Sequence, residues 1–253
     1  MKENKYRLGI VSVSFRNHTP REILEASKKA GLSCIEWGSD VHAPCRDIEA
    51  LREIADLQKE YGIECSSYGT YFRLGEAPIE DLKAHINAAK ILGTDILRLW
   101  CGTKCGEEYF DSERQDLLRQ CKQAAEIARG EGVTLCMECH KRTYTQRLDD
   151  AIELMRTVNS PNFRMYWQPF QWQTVEENLA YAEAIAPYVR HIHVFQWKDK
   201  ERFSLCEGIE EWQNYLGKFS IPRTLLLEFM PDDKMTSLAA ESNALKTIIG
   251  ETV

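Results

Sequence analysis

The sequence predicts an α/β fold in which eight parallel strands alternate with eight helices and close into a (β/α)8 barrel. Three observations carry that expectation. Short apolar, strand-like runs alternate with helix-patterned segments from one end of the chain to the other. The length, 253 residues, is close to the roughly 250 residues of one such barrel. No G-x-G-x-x-G follows the first strand, which weighs against the open, doubly wound sheet that the same alternation could build. No linker, low-complexity stretch or composition shift interrupts the pattern, so one domain is expected over 1–253.

The elements follow in order. A first strand is expected at 6–13, then a helix at 19–31, where Thr19-Pro20 puts proline at a first helical position and Gly31 follows the last turn. Strand 34–38 leads into helix 47–62, which Gly62 closes. Strand 64–70 precedes helix 78–93, opened by Pro78 with Ile79-Glu80-Asp81 in its first turn and closed by Gly93. Strand 95–100 and helix 112–131 come next, with Gly132 after the helix. The remaining pairs are strand 134–140 with helix 147–158, 163–169 with 174–188, 189–197 with 208–219, and 223–230 with 237–249. Parallel strands joined this way cross over right-handedly.

Composition narrows the function classes. With 32 basic and 39 acidic residues the net charge is −7, unfavourable for binding a nucleic-acid backbone. The longest apolar runs are strand-sized, so no membrane span is expected. The start, MKENKYRLGIVSVSF, is basic, but its apolar part is short and lacks a small-residue cleavage site; it reads as the first strand, not as a signal peptide. Nine cysteines are scattered through strands and helices. Cys101–Cys105 and Cys136–Cys139 are close pairs without a second pair at zinc-ribbon spacing, so reduced core cysteines of a cytoplasmic protein are expected.

Chemistry enters at three strand ends. TLCMECH, HIHVFQW and TLLLEFM each carry an ionisable residue near the C-terminal end: Glu138, His193 and Glu228. Burying such a group costs several kcal/mol unless it is paired or metal-bound, and that end of the strands is where barrel enzymes place their active sites. Inward positions differ by two along a strand. Glu138 therefore shares a face with Cys136 and His140, and His193 with His191, Phe195 and Trp197. Glu228 shares one with Leu226 and Met230, while Tyr166 and Gln168 pair on the intervening strand. Glu138, Gln168, His193 and Glu228 then converge as an oxygen-rich set suited to Mn, Co, Mg or Zn. Such a site serves proton transfer beside a carbonyl, in which a metal stabilises an enediolate and a carboxylate moves the proton. The plain alternative is a hydrogen-bonded polar cluster that closes the barrel.

Further candidates for the substrate share that parity or lie in the neighbouring loops. Arg98 and Glu36 fall inward; Arg98 is expected to pair with Glu36 or Glu138, with direct contact to substrate as the other reading. Trp100 and Trp197 could stack on a sugar; His140, His42 and Gln171 complete the set.

IEWGSDVHAP (35–44), LRLW-CG (97–102), MECH (137–140), HIHV (191–194) and LLLEF (225–229) follow one another in an order and spacing that resembles the xylose-isomerase-like TIM-barrel superfamily of sugar isomerases and epimerases. The resemblance implies a divalent metal held by Glu138, Gln168, His193 and Glu228, with Glu138 and Glu228 as the acid/base pair. It also implies a carbohydrate-like small-molecule substrate, sugar-acid and polyol reactions such as inosose dehydration included. Where that superfamily has Asp-x-x-His on strand 6, this chain has Gln168-Pro169-Phe170-Gln171. The ligand charge falls from −3 to −2, which implies weaker metal retention. A sugar-binding barrel that has lost its metal is the alternative. A nuclease resembling endonuclease IV needs more ligands than six histidines and this strand supply. A homo-oligomer stays open.

Overall fold

The computed structural model describes residues 6–221 and 223–251; the basic start at 1–5 lies outside them. The strands β1 (Arg7–Val11), β2 (Cys34–Gly38), β3 (Glu64–Leu74), β4 (Ile96–Cys101), β5 (Thr134–Glu138), β6 (Phe163–Trp167), β7 (Val189–Val194) and β10 (Thr224–Leu227) form a closed barrel in the order β1-β10-β7-β6-β5-β4-β3-β2. Every neighbouring pair is parallel. The helices α1 (Pro20–Lys29), α2 (Ile48–Tyr61), α3 (Leu82–Leu92), α4 (Asp111–Glu131), α5 (Leu148–Val158), α6 (Val175–Ile185), α7 (Ile209–Leu216) and α8 (Leu238–Ile248) return the chain between strands. The expected alternation is thus realised.

Local chemistry sets the boundaries. Thr19 caps α1 in a reciprocal capping box with Glu22, with Pro20 at the first helical position. Gly62, Gly93 and Gly132 end α2, α3 and α4 in the left-handed conformation. Pro78 differs from expectation: it precedes a single 3-10 turn, Ile79–Asp81, and α3 begins after it.

The apolar residues divide into two layers. Val11, Cys34, Cys136, Tyr166 and Leu226 fill the barrel interior, whereas Leu99, Met137, Trp167, Ile192 and Leu225 face the helices in the larger core. Alternation along each strand produces this division. It also separates Cys136 from Cys139, which lies in the outer core. All nine cysteines are free. Among the described residues no helix is long and apolar enough to cross a membrane.

Five strands end short of their expected last residue, at Val11, Glu138, Trp167, Val194 and Leu227, and at the last two the chain takes a different path. The run 189–197 is not one strand: β7 ends at Val194, and β8 (Gln196–Lys198) pairs antiparallel with β9 (Glu201–Phe203) in a hairpin over the barrel rim. The last barrel strand, expected to 230, ends at Leu227, and Phe229 adopts a left-handed φ of 57°. That reversal breaks the alternation, so Met230 packs in the outer core instead of pointing inward.

Candidate metal centre and active site

Strand ends bring the polar residues together. Glu138 is the last residue of β5, His193 the penultimate residue of β7, and Gln168 and Glu228 directly follow β6 and β10. β5, β6, β7 and β10 are consecutive around the barrel. Ligand atoms of Glu138, His193 and Glu228 lie within 4.8 Å of one another, and all three residues are buried. His193 Nδ1 is 3.5 Å from Glu138 Oε1, 3.5 Å from Glu228 Oε2 and 3.1 Å from Gln168 Oε1. The Gln168 amide donates from Nε2 to the Cys139 carbonyl at 3.1 Å, which turns its oxygen toward the same point. The four sequence candidates are therefore gathered at one place.

These donors fit a divalent ion. Ligands about 2.1 Å from a common ion stand roughly 3–3.5 Å apart, the separation that His193 Nδ1 keeps from its three neighbours. Two carboxylates balance a divalent charge, and the amide and imidazole add neutral donors. Replacing Gln168 with aspartate adds a third negative ligand, so Gln168→Asp is expected to tighten binding of Mn²⁺ about tenfold or more. Competition titration against a chelator measures it; an unchanged affinity would remove Gln168 from the ligand set.

The two carboxylates differ sharply in their surroundings. Glu138 Oε2 accepts hydrogen bonds from Arg98 Nη1 at 2.5 Å and from Trp100 Nε1 at 2.6 Å, leaving Oε1 toward His193. Burial pushes its carboxyl up, but Arg98 and His193 outweigh burial and hold it at about 2. Glu228 has only the 3.5 Å contact to His193 within ion-pair range among the described residues. Burial there prevails over the attraction of His193, with the Glu138 charge adding to it, and its carboxyl is pushed up to about 7. For His193, burial acts downward but Glu228 and Glu36 raise it to about 10.

A cavity of about 280 Å³ opens above these residues. Arg98, Trp100, Glu138, His140, Gln168, Gln171, Trp197 and Glu228 line it. His140 packs against Trp100 with ring centroids 5.0 Å apart and the ring planes inclined by 38°. Trp197 reaches the cavity by a different route than its alternation along β7 suggested, since it stands on the β8–β9 hairpin. Arg202 covers Trp197 and Phe229 from behind.

Glu36 and His42, expected at the substrate, are not on the cavity lining. Glu36 is fully buried beneath Arg98, whose Nε donates to its Oε1 at 2.8 Å. His42 spends both ring nitrogens on the loop after β1, 3.1 Å from Ser12 Oγ and 3.1 Å from the His18 carbonyl. Sequence reasoning also missed lining residues. Trp172 is 43% exposed beside Phe170, with Lys141 over its ring. Arg16, Tyr71 and Phe229 join from other loops and strand ends. A tryptophan just past a strand end was the available signal for Trp172; nothing local marks the others.

Comparison with known proteins agrees with this architecture. A family profile described as xylose isomerase-like TIM barrel matches residues 24–220. A 3-dehydroshikimate dehydratase from Bacillus anthracis is 21% identical over 199 residues, 75% of this chain and 70% of that protein. An inosose dehydratase from Serratia proteamaculans (strain 568) is 22% identical over 269 aligned residues, 93% of this chain and 87% of its own length. Among solved structures, that of the IolI protein with a binding zinc atom superposes with a TM-score of 0.78 at 15% identity, covering 96% of this chain and 98% of that one.

Proposed function

The chain belongs to the xylose isomerase-like TIM-barrel family, and on that premise we propose that it is a divalent-metal-dependent dehydratase of small, carbohydrate-like hydroxyketones. The observation that carries this reading is the asymmetry of the carboxylates. Epimerisation by two glutamates needs one to take a proton from a face of the substrate and the other to return one to the opposite face. Glu138, with one oxygen fixed by Arg98 and Trp100 and its carboxyl held at about 2, is a poor proton carrier. Glu228 has no arginine or indole donor on its carboxylate among the described residues, only the 3.5 Å contact of Oε2 to His193, so an oxygen is left to take a proton and return it.

One such group suffices for elimination. Glu228 takes the proton from the carbon next to the carbonyl. The hydroxyl on the following carbon then leaves and recovers that proton from Glu228 as water, so the residue ends as it began. A divalent ion held by Glu138, Gln168, His193 and Glu228 supplies Lewis-acid stabilisation of the charge that develops on the carbonyl oxygen. Trp100 and Trp197 present aromatic surface to the C–H faces of the substrate. The names of the sequence relatives, a 3-dehydroshikimate dehydratase and inosose dehydratases, support elimination over isomerisation, which one carboxylate could also perform.

The test is to incubate the Mn²⁺-loaded protein in deuterated water with a panel of cyclic and open-chain polyhydroxy ketones. The expected result is an unsaturated ketone and loss of water, abolished by chelation. Recovery of an epimer deuterated at carbon, with no unsaturated product, would instead establish the two-carboxylate shuttle.

A further inference from the structure

We infer that Glu36 is a positioning residue that aims two of the four metal donors at once: His193 directly, and Glu138 through Arg98. The inference rests on the reading of Glu138, Gln168, His193 and Glu228 as metal ligands. It concerns a residue that touches neither the cavity nor the donor cluster's centre.

The geometry begins at His193. Its Nδ1 faces the other donors, so when it ligates a metal its lone pair must be free and the ring proton must sit on Nε2. Nε2 is buried without a hydrogen-bond acceptor among the described residues, and the one carboxylate within ion-pair range of it there is Glu36, with Oε2 at 3.6 Å. A negative charge on that side favours the proton on Nε2 and holds the ring so that Nδ1 points at the cluster.

The second arm runs through Arg98. Glu36 Oε1 accepts from Arg98 Nε at 2.8 Å, while Arg98 Nη1 donates to Glu138 Oε2 at 2.5 Å. A guanidinium is planar, so fixing one edge fixes the other. Glu36 thereby sets which oxygen of Glu138 is engaged and which faces the site. Its own orientation is held by Ser67, whose Oγ donates to Oε2 at 2.9 Å. The backbone leaves room for the arrangement at Gly69, where a Cβ would stand 2.6 Å from Glu36 Oε1 and 2.9 Å from Arg98 Nη2.

A carboxylate that merely balanced the Arg98 charge would serve stability alone, and the experiment separates the two roles. Mn²⁺ affinity of the folded, metal-free protein is measured by chelator competition for the wild type, Glu36→Gln and Ser67→Ala, with thermal denaturation alongside. Removing a group that orients a ligand from behind typically costs about 10–100-fold in metal affinity, and that loss is expected for Glu36→Gln. A folded Glu36→Gln protein whose affinity stays within threefold of wild type, whatever its melting temperature, overturns the inference. Should Glu36→Gln not fold, Ser67→Ala decides: a loss of threefold or more supports it, and a smaller one overturns it. If the wild type binds no Mn²⁺, the metal reading itself fails. Metal-free crystal structures then decide Glu36, with displacement of His193 and Glu138 in the variant supporting its role and superposition overturning it.

Discussion

Glu228→Gln is expected to lower turnover by about 10²–10⁴-fold, the usual contribution of a positioned acid or base, while leaving the barrel folded. The substitution keeps the shape of the side chain and removes the proton acceptor. Its stability signature is equally specific. In the metal-free protein the Glu228 carboxyl is pushed from 4.5 to about 7, chiefly by burial. Between those values the folded chain holds a proton that the unfolded chain has already released, so this group makes stability fall as pH rises through that window. Glutamine has no proton to lose and abolishes that slope. Metal-free Glu228→Gln should therefore melt close to wild type at pH 5, and at or above it at pH 8. Thermal denaturation in a chelator at the two pH values reads this out. A variant that melts several degrees lower at pH 8, or that turns over normally, would deny Glu228 the environment and role assigned to it.

The site was legible where the strand period could be counted and illegible where it could not. Glu138, Gln168, His193 and Glu228 lie on or within one residue of regular strands, where alternation alone puts them on a common face. The same counting failed one step further along. Beyond Val194 the chain leaves the barrel for a hairpin, so Trp197 reaches the cavity on β8 and not as a continuation of β7. Beyond Glu228, the left-handed Phe229 turns the backbone and sends Met230 into the outer core. A bulky residue at positive φ is strained, and no local pattern in LLLEFMP announces it. Its amide donates to Ser14 Oγ, 215 residues earlier in the chain, a contact that only the closed barrel brings about. Glu36 lies on the inward face that alternation predicts and pairs with Arg98, as their shared parity allows, but it does not line the cavity: depth along a barrel axis depends on register between strands, and sequence alternation supplies side without supplying depth. His42, Trp172, Lys141 and Arg16 stand in loops, whose paths are fixed by long-range contacts of this kind.

The largest stability effect is expected at Arg98. This residue is 3% exposed and bridges two buried carboxylates, Glu36 through Nε and Glu138 through Nη1. Arg98→Met fills a similar volume without charge and leaves both carboxylates buried without their shared cation. Breaking a buried ion pair from one side costs about 3–5 kcal/mol, equivalent to a fall of roughly 6–20 °C in melting temperature for a chain of this size. Lysine is not a substitute, because one ammonium cannot present two fixed edges to two carboxylates. The interpretation depends on where the cost arises. If it comes from the stranded charges, then neutralising one of them by adding Glu36→Gln to Arg98→Met should recover part of the loss, making the double variant more stable than Arg98→Met alone. If Arg98 acted only through packing of its stem, the two substitutions would add. Urea denaturation of the two single variants and the double variant forms the cycle. A destabilisation below about 1 kcal/mol for Arg98→Met, in the range of an exposed pair, would mean that water reaches these carboxylates. Glu138 would then not be confined to the role of a fixed, unprotonated donor, and the asymmetry that favours elimination over epimerisation would lose its physical cause.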